Sequence, residues 1–327
     1  MPAAERPLPA QIGPYRILRR LGAGGMAEVL LGQRFGAGGF VREVAIKVLR
    51  PERRGDPEYE RLFIAEARLG ARFDHPGLVA VHDFGLDGDV YYLCMDRVDG
   101  PDLATLSARR PLPRPLALFV AEAIADALAH VHALCDEAGR PLGIIHRDVS
   151  PHNVLCSRAG AVKLADFGIA KATAADDRTW GRLRKGKYAY MAPEQLLGGT
   201  LGPTCDQFGF GVLLHELLLG RRPFDGDGPL STMEAIRRAV LAGDHDFGDL
   251  RPGLVAVLRR ALAPRADDRF PTTADLARAI TACRREEAIA GALGLAAHVA
   301  AAVAPGTEGD AAAPPPTLAM TTEAREG

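Results

Sequence analysis

The chain has few cysteines and no CxxC pair: Cys94, Cys135, Cys156, Cys205 and Cys283 lie far apart. That spacing argues against a zinc site or a secreted disulfide framework and fits a reducing cytosol. An excess of one charge is also lacking, with 40 Lys and Arg against 41 Asp and Glu. No overall field therefore favours nucleic acid or an anionic membrane. The opening run MPAAERPLPAQIGPYRIL has no apolar signal core. Long hydrophobic runs are missing too. The candidate membrane stretch, Ala288–Ala304, is 17 residues of mostly alanine interrupted by His298, marginal for a bilayer span. An amphipathic or loosely ordered helix is expected there. No internal repeat and no GK[ST] P-loop occurs.

What is present fills 327 residues, enough for two lobes or for one domain and a tail. Alternation predicts strands at Tyr15–Leu21, Ala27–Gln33 and Arg42–Leu49. A helix is expected over 57–73, and then a hairpin of Val79–Phe84 and Val90–Met95 about Asp87-Gly88-Asp89. Past Gly100 the pattern turns helical. Leu116, Phe119, Val120, Ile124, Leu128 and Val131 mark one apolar face, and Phe208–Leu219 is apolar almost all round, as in a fully buried helix. Two short strands at Val154–Cys156 and Val162–Ala165 flank Gly160. The expected fold is α+β and bilobal, with a cleft between a β-rich lobe (15–98) and a helical lobe (99–285). An extension (1–14) precedes them, and an Ala/Pro-rich tail (286–327), expected to be disordered, follows.

The chemistry-bearing residues follow the same order. Leu21-Gly22-Ala23-Gly24-Gly25-Met26-Ala27 links two strands, and glycines such as Gly22 and Gly24 let backbone N–H groups approach phosphate oxygens. A strand follows this run, which excludes a Rossmann turn. Lys47 lies in an apolar strand. The plain alternative is an edge lysine whose amine reaches water, but Glu66 shares a helix face with Leu62, Phe63, Leu69 and Phe73 and needs a partner there. A Lys47–Glu66 ion pair satisfies both. Further on stand His146-Arg147-Asp148, then Asn153, then Asp166-Phe167-Gly168. Asp148, Asn153 and Asp166 are spaced for one acid that positions a nucleophile and two groups that hold a metal, as phosphoryl transfer requires.

Taken together, these motifs make residues 15–285 resemble a eukaryotic-type (Hanks-type) serine/threonine protein kinase, of bacterial character. The resemblance implies ATP with Mg2+ or Mn2+ and a cytoplasmic enzyme acting on protein substrates. It implies no nucleic acid and no membrane span, with self-association for trans-autophosphorylation. It assigns Asp148 to the substrate hydroxyl, Asn153 and Asp166 to the metal, and Lys47 with Glu66 to the phosphates. Val29, Ala45 and Leu155 would sandwich adenine, Met95 would be the gatekeeper and Asp102 would meet the ribose; Val98, where the lobes join, completes the nucleotide set. Ala192-Pro193-Glu194 would close the activation segment, with Glu194 paired to Arg269, and Asp206 would accept hydrogen bonds from the catalytic-loop backbone. Arg147 would pair with a phosphorylated segment residue, Thr179 being better placed than Thr173.

Three departures stand out against that family. Its usual lysine two residues after the catalytic aspartate is Ser150 here, and the usual threonine after Gly186 is Lys187. The expectation is a swap in which Lys187 supplies the missing positive charge. Gly70 stands where a larger apolar residue is usual, so the 57–73 helix is expected to dock loosely. A pseudokinase-like scaffold is the competing reading, motivated by Ser150 and Gly70.

Overall fold

Val44-Ala45-Ile46-Lys47-Val48-Leu49 is apolar on both faces apart from one lysine, the pattern of a strand covered on two sides. A computed structural model, which describes residues 7–167, 187–224, 231, 234–236, 238 and 246–304, places it at the centre of the amino-terminal lobe. The sheet there has six antiparallel strands: β1 (Gln11–Ile12), β2 (Tyr15–Ala23), β3 (Ala27–Phe35), β4 (Val41–Leu49), β5 (Val81–Asp87) and β6 (Val90–Asp96). Their spatial order is β1-β2-β3-β4-β6-β5. On one face Tyr15, Leu30, Val44, Ile46, Val48 and Tyr92 form a small core. On the other, Ala27, Leu49 and Leu93 pack against Phe63 and Ala67 of helix α1 (Pro57–Gly70). Asp56 caps α1 by accepting the Glu58 N–H at 3.0 Å, and Pro57 fills the first helical position.

The larger lobe is built on two buried helices, α3 (Arg114–His132) and α5 (Pro203–Leu219). Every residue of α5 from Cys205 to His215 is buried, as its all-round apolar sequence requires, and Gly220 ends it in the left-handed region at φ 69°. Around them lie α2 (Leu103–Arg109), the hairpin β7 (Val154–Cys156) and β8 (Val162–Leu164), and α4 (Pro193–Leu197). Helices α6 (Pro252–Ala261), α7 (Thr273–Arg285) and α8 (Ala292–Val303) also belong to the lobe.

The structure moves several expected boundaries. Helix α1 stops at Gly70, and the N–H groups of Arg72 and Phe73 turn back to Leu69 and Gly70 in tighter, three-residue steps. Strand β5 starts at Val81, because the Val79 N–H pairs with the Leu164 carbonyl of the other lobe at 3.1 Å. The extension contributes β1, and Ile12 is buried. The tail expectation needs the largest correction. The helical lobe does not end at 285: Leu295, His298, Val299 and Ala302 of α8 are buried, and the apolar three of them belong to its core. Residues 305–327 lie outside the described part. Among the described residues, α3 rather than Ala288–Ala304 has the length and apolarity to cross a membrane, and α3 is a core helix of this lobe.

Candidate active site

Residues opposite one another in neighbouring strands share a face of the sheet. Val29 pairs with Lys47, and Ala45 with Met95, so these four predicted residues lie on one face, the face that packs α1. Glu66, buried on α1, accepts from Lys47 Nζ at 2.5 Å. The same ammonium reaches Asp166 Oδ1 of the other lobe at 2.9 Å. Burial works against the charge on Lys47, yet Asp166 and Glu66 outweigh it and hold the amine above the usual lysine range. Burial pushes Glu66 above the usual carboxylate range, against the pull of Lys47 and with the help of Asp166.

The catalytic loop is held in an unfavourable shape. Arg147 and Asp166 are the non-glycine residues with positive φ, 64° and 55°, among those described. Such backbone persists only where its surroundings over-determine it. Asp206, at the start of α5, does this for Arg147: its carboxylate accepts the His146 N–H at 2.6 Å and the Arg147 N–H at 2.7 Å. His132 braces Asp206 from behind, with Nε2 on the carboxylate at 2.8 Å and Nδ1 on the Thr273 hydroxyl at 2.7 Å. Sequence reasoning missed His132, although its place at the polar end of an apolar helix was visible.

His146 is fully buried. Its Nε2 donates to the Ala165 carbonyl at 3.1 Å and its Nδ1 accepts the Asp148 N–H at 3.3 Å, which fixes a neutral ring. Burial lowers its pKa, against Asp206 and Asp148. Phe167 packs against Phe73 and His146 in tilted contacts, with ring centroids 4.4 Å and 4.6 Å away.

The expected loose docking at Gly70 is not found. Gly70 is buried, and a Cβ built on it would lie 2.6 Å from Val81 Cγ2. Val81 has taken the space that a larger side chain would fill. The glycine is a matched contact rather than a gap.

Asn153 donates its amide to the Asp148 carbonyl at 2.8 Å, which leaves its Oδ1 as an acceptor. With the exposed Asp166 carboxylate this makes an all-oxygen pair suited to a hard cation. Among the described residues no cluster of three or more His, Cys, Asp or Glu could hold a metal. A magnesium ion fits a site of two protein ligands, with water and phosphate completing the shell. Asp148 is half-buried beside them. In the glycine-rich turn, Gly24 N–H bonds the Ala27 carbonyl at 2.7 Å, and a Cβ on Gly22 would meet no protein atom within 4 Å. Packing does not demand glycine there; close approach of a ligand to the backbone would.

Leu155 and Asp102 face each other as a bridge where the lobes join, and Val98 and Met95 are half-buried near that junction. Asp102 also caps α2, accepting the Thr105 N–H at 2.7 Å and hydroxyl at 3.1 Å. Ser150 is completely buried, and among the described residues its hydroxyl has no hydrogen-bond partner. The Lys187 side chain lies outside the described residues, as do Gly168, Thr173, Thr179 and Gly186.

Glu194 and Arg269 meet as a two-pronged pair at 2.6 and 2.9 Å. The guanidinium also donates to the carbonyls of Thr204, Ala263 and Pro264, so all five of its N–H groups are used in a fully buried site.

The family model described as protein kinase domain matches residues 15–269. Tyrosine-protein kinase MasK of Myxococcus xanthus is 39% identical over 280 residues, covering 84% of this chain and 43% of its own length. Serine/threonine-protein kinase PrkC of Bacillus subtilis is 40% identical over 220 residues, covering 67% of this chain and 32% of its own. The crystal structure of the Mycobacterium tuberculosis PknI kinase domain superposes with a TM-score of 0.61 at 30% identity, covering 85% of this chain and 99% of that one. The chain thus spans about a third to two fifths of the length of these curated relatives.

Proposed function

The chain belongs to the protein kinase domain family, and from that premise we propose that it is an ATP-dependent protein serine/threonine kinase. The observation that carries this reading is the Lys47 ammonium, which touches Glu66 of one lobe and Asp166 of the other. It sets a fixed positive charge between the glycine-rich turn and the metal ligands, where a triphosphate needs it.

Bound ATP with Mg2+ or Mn2+ supplies the transferable γ-phosphoryl group and much of the charge neutralisation. Asn153 and Asp166 would hold the cation, and Val29, Ala45, Met95, Val98 and Leu155 would enclose the base. Asp148 orients the substrate hydroxyl and takes its proton as oxygen attacks phosphorus and the bond to the β-phosphate oxygen breaks. Lys187 supplies the positive charge absent at Ser150. Two contacts support its nearness to the catalytic loop: a Cβ on Gly209 of α5 would lie 3.1 Å from the Tyr190 carbonyl and 3.3 Å from Val149. The short helix beginning at Lys187 and the loop holding Asp148 therefore rest on one patch of α5. Five cysteines without a disulfide fit a cytoplasmic setting. Self-association brings one activation segment to another molecule's active site for autophosphorylation.

Incubation with γ-labelled ATP and magnesium, followed by phosphoamino-acid analysis, tests this reading. Label on serine or threonine, lost in Asp148→Asn, is expected. Label confined to tyrosine would transfer the assignment to the class named for MasK, and equal labelling by Asp148→Asn would overturn the role of Asp148. The scaffold alternative finds no support, since Lys47, Glu66, Asp148, Asn153 and Asp166 are all retained.

A further inference from the structure

Helix α8 lies beyond the residues matched by the family model, yet it packs into the lobe at two places that border the nucleotide site. The first is α2. This seven-residue helix is too short to be stable alone, so its position depends on its caps and packing. Asp102 caps its first turn, next to Leu155. At its other end the Arg110 carbonyl meets Nε2 of His298 at 3.0 Å, and His298 is itself buried. The second place is the β7–β8 turn. Gly160 stands there at φ 83°, and a Cβ on it would lie 1.8 Å from the Ala292 carbonyl at the start of α8. The same hairpin is tied to the segment joining the lobes, with Cys156 N–H on the Pro101 carbonyl at 2.9 Å and Arg158 N–H on the Asp99 carbonyl at 2.7 Å.

We propose that His298 is a positioning residue for the nucleotide: by holding the Arg110 carbonyl it fixes α2, and through α2 it fixes Asp102 beside Leu155. Helix α8 is then part of the nucleotide site's frame. This rests on the nucleotide-binding reading above.

The test uses the full chain with His298→Ala, His298→Gln and Gly160→Ala. Glutamine keeps an N–H donor at a reach similar to Nε2; the glycine variant breaks the other contact. Loss of one buried hydrogen bond corresponds to about a fivefold change in an equilibrium constant. His298→Ala is therefore expected to raise both the Kd for a fluorescent ATP analogue and the KM for ATP by about that factor, with a smaller fall in kcat. Amide exchange should quicken in 103–110 and not in α5, His298→Gln should recover most of the affinity, and Gly160→Ala should shift affinity in the same direction as His298→Ala. Wild-type affinity in His298→Ala overturns the proposal while leaving the kinase reading intact. So does a loss in which kcat falls in step with the folded fraction and exchange quickens throughout the lobe. A wild-type chain that binds no nucleotide would overturn both.

Discussion

The Arg147 N–H lies 2.7 Å from Asp206 Oδ1, a contact across 59 residues of sequence that holds the catalytic loop at a left-handed backbone angle. Strain next to Asp148 is thus balanced by a buried carboxylate on a helix buried from Cys205 to His215. Asp206→Asn keeps the shape but removes the charge from three short hydrogen bonds. Hydrogen bonds to charged groups contribute about 1.5–3 kcal/mol each, so a loss of at least about 2 kcal/mol in unfolding free energy is expected. Activity should fall further than the folded fraction. Urea titration with parallel kinetics checks it; a stable variant of wild-type rate would contradict it.

His146 makes the catalytic loop sensitive to acid. Its ring accepts a proton more readily in the unfolded chain than when buried, so unfolding takes up a proton once pH drops below about 6.5. Stability contributed by the neutral ring is complete above that value and is lost as pH falls towards the folded pKa. Each pH unit in that window costs about 1.4 kcal/mol per proton. His215, also lowered by burial, adds in the same direction. Denaturation midpoints measured between about pH 7.5 and 5.5 should decline, and His146→Phe should decline less steeply. An identical slope in the variant would show that His146 is not the group responsible.

Gly70 and Val81 predict a compensating pair. Gly70→Leu alone overpacks the contact with Val81 and should destabilise by about 1–3 kcal/mol. Adding Val81→Ala should recover most of that loss, because the two side chains compete for one space. Additive costs in the double-mutant cycle would show that they do not.

The Ser150/Lys187 exchange is tested by kinetics. Lys187→Ala is expected to lower kcat by about 10²–10³-fold, the magnitude of removing one preorganised donor. Restoring the family's arrangement with Ser150→Lys and Lys187→Thr together should return part of the rate. Unchanged kcat in a folded Lys187→Ala would eliminate the role.

Most of this site was legible in the sequence because its geometry is local or periodic. Strand alternation put Ala45 and Lys47 on one face, and helix spacing put Glu66 towards them. The catalytic loop carries its residues within eight positions. What could not be read were contacts set by tertiary packing between distant residues. Nothing near Gly70 announces that Val81 occupies its space. Nothing near His132 announces Asp206, 74 residues on. A helix was expected within 288–304, but its burial was not, because alanine-rich composition gives a weak apolar signal and its contacts with α2 and Gly160 lie far away in sequence.

The proposed function turns on Asn153 and Asp166 presenting their oxygens to one cation beside Lys47. Crystals grown with a nonhydrolysable ATP analogue and manganese test it through the anomalous signal of the metal. A peak is expected within about 2.0–2.3 Å of both Asn153 Oδ1 and an Asp166 oxygen. A nucleotide bound with manganese held elsewhere, and these two oxygens turned away from it, would contradict it.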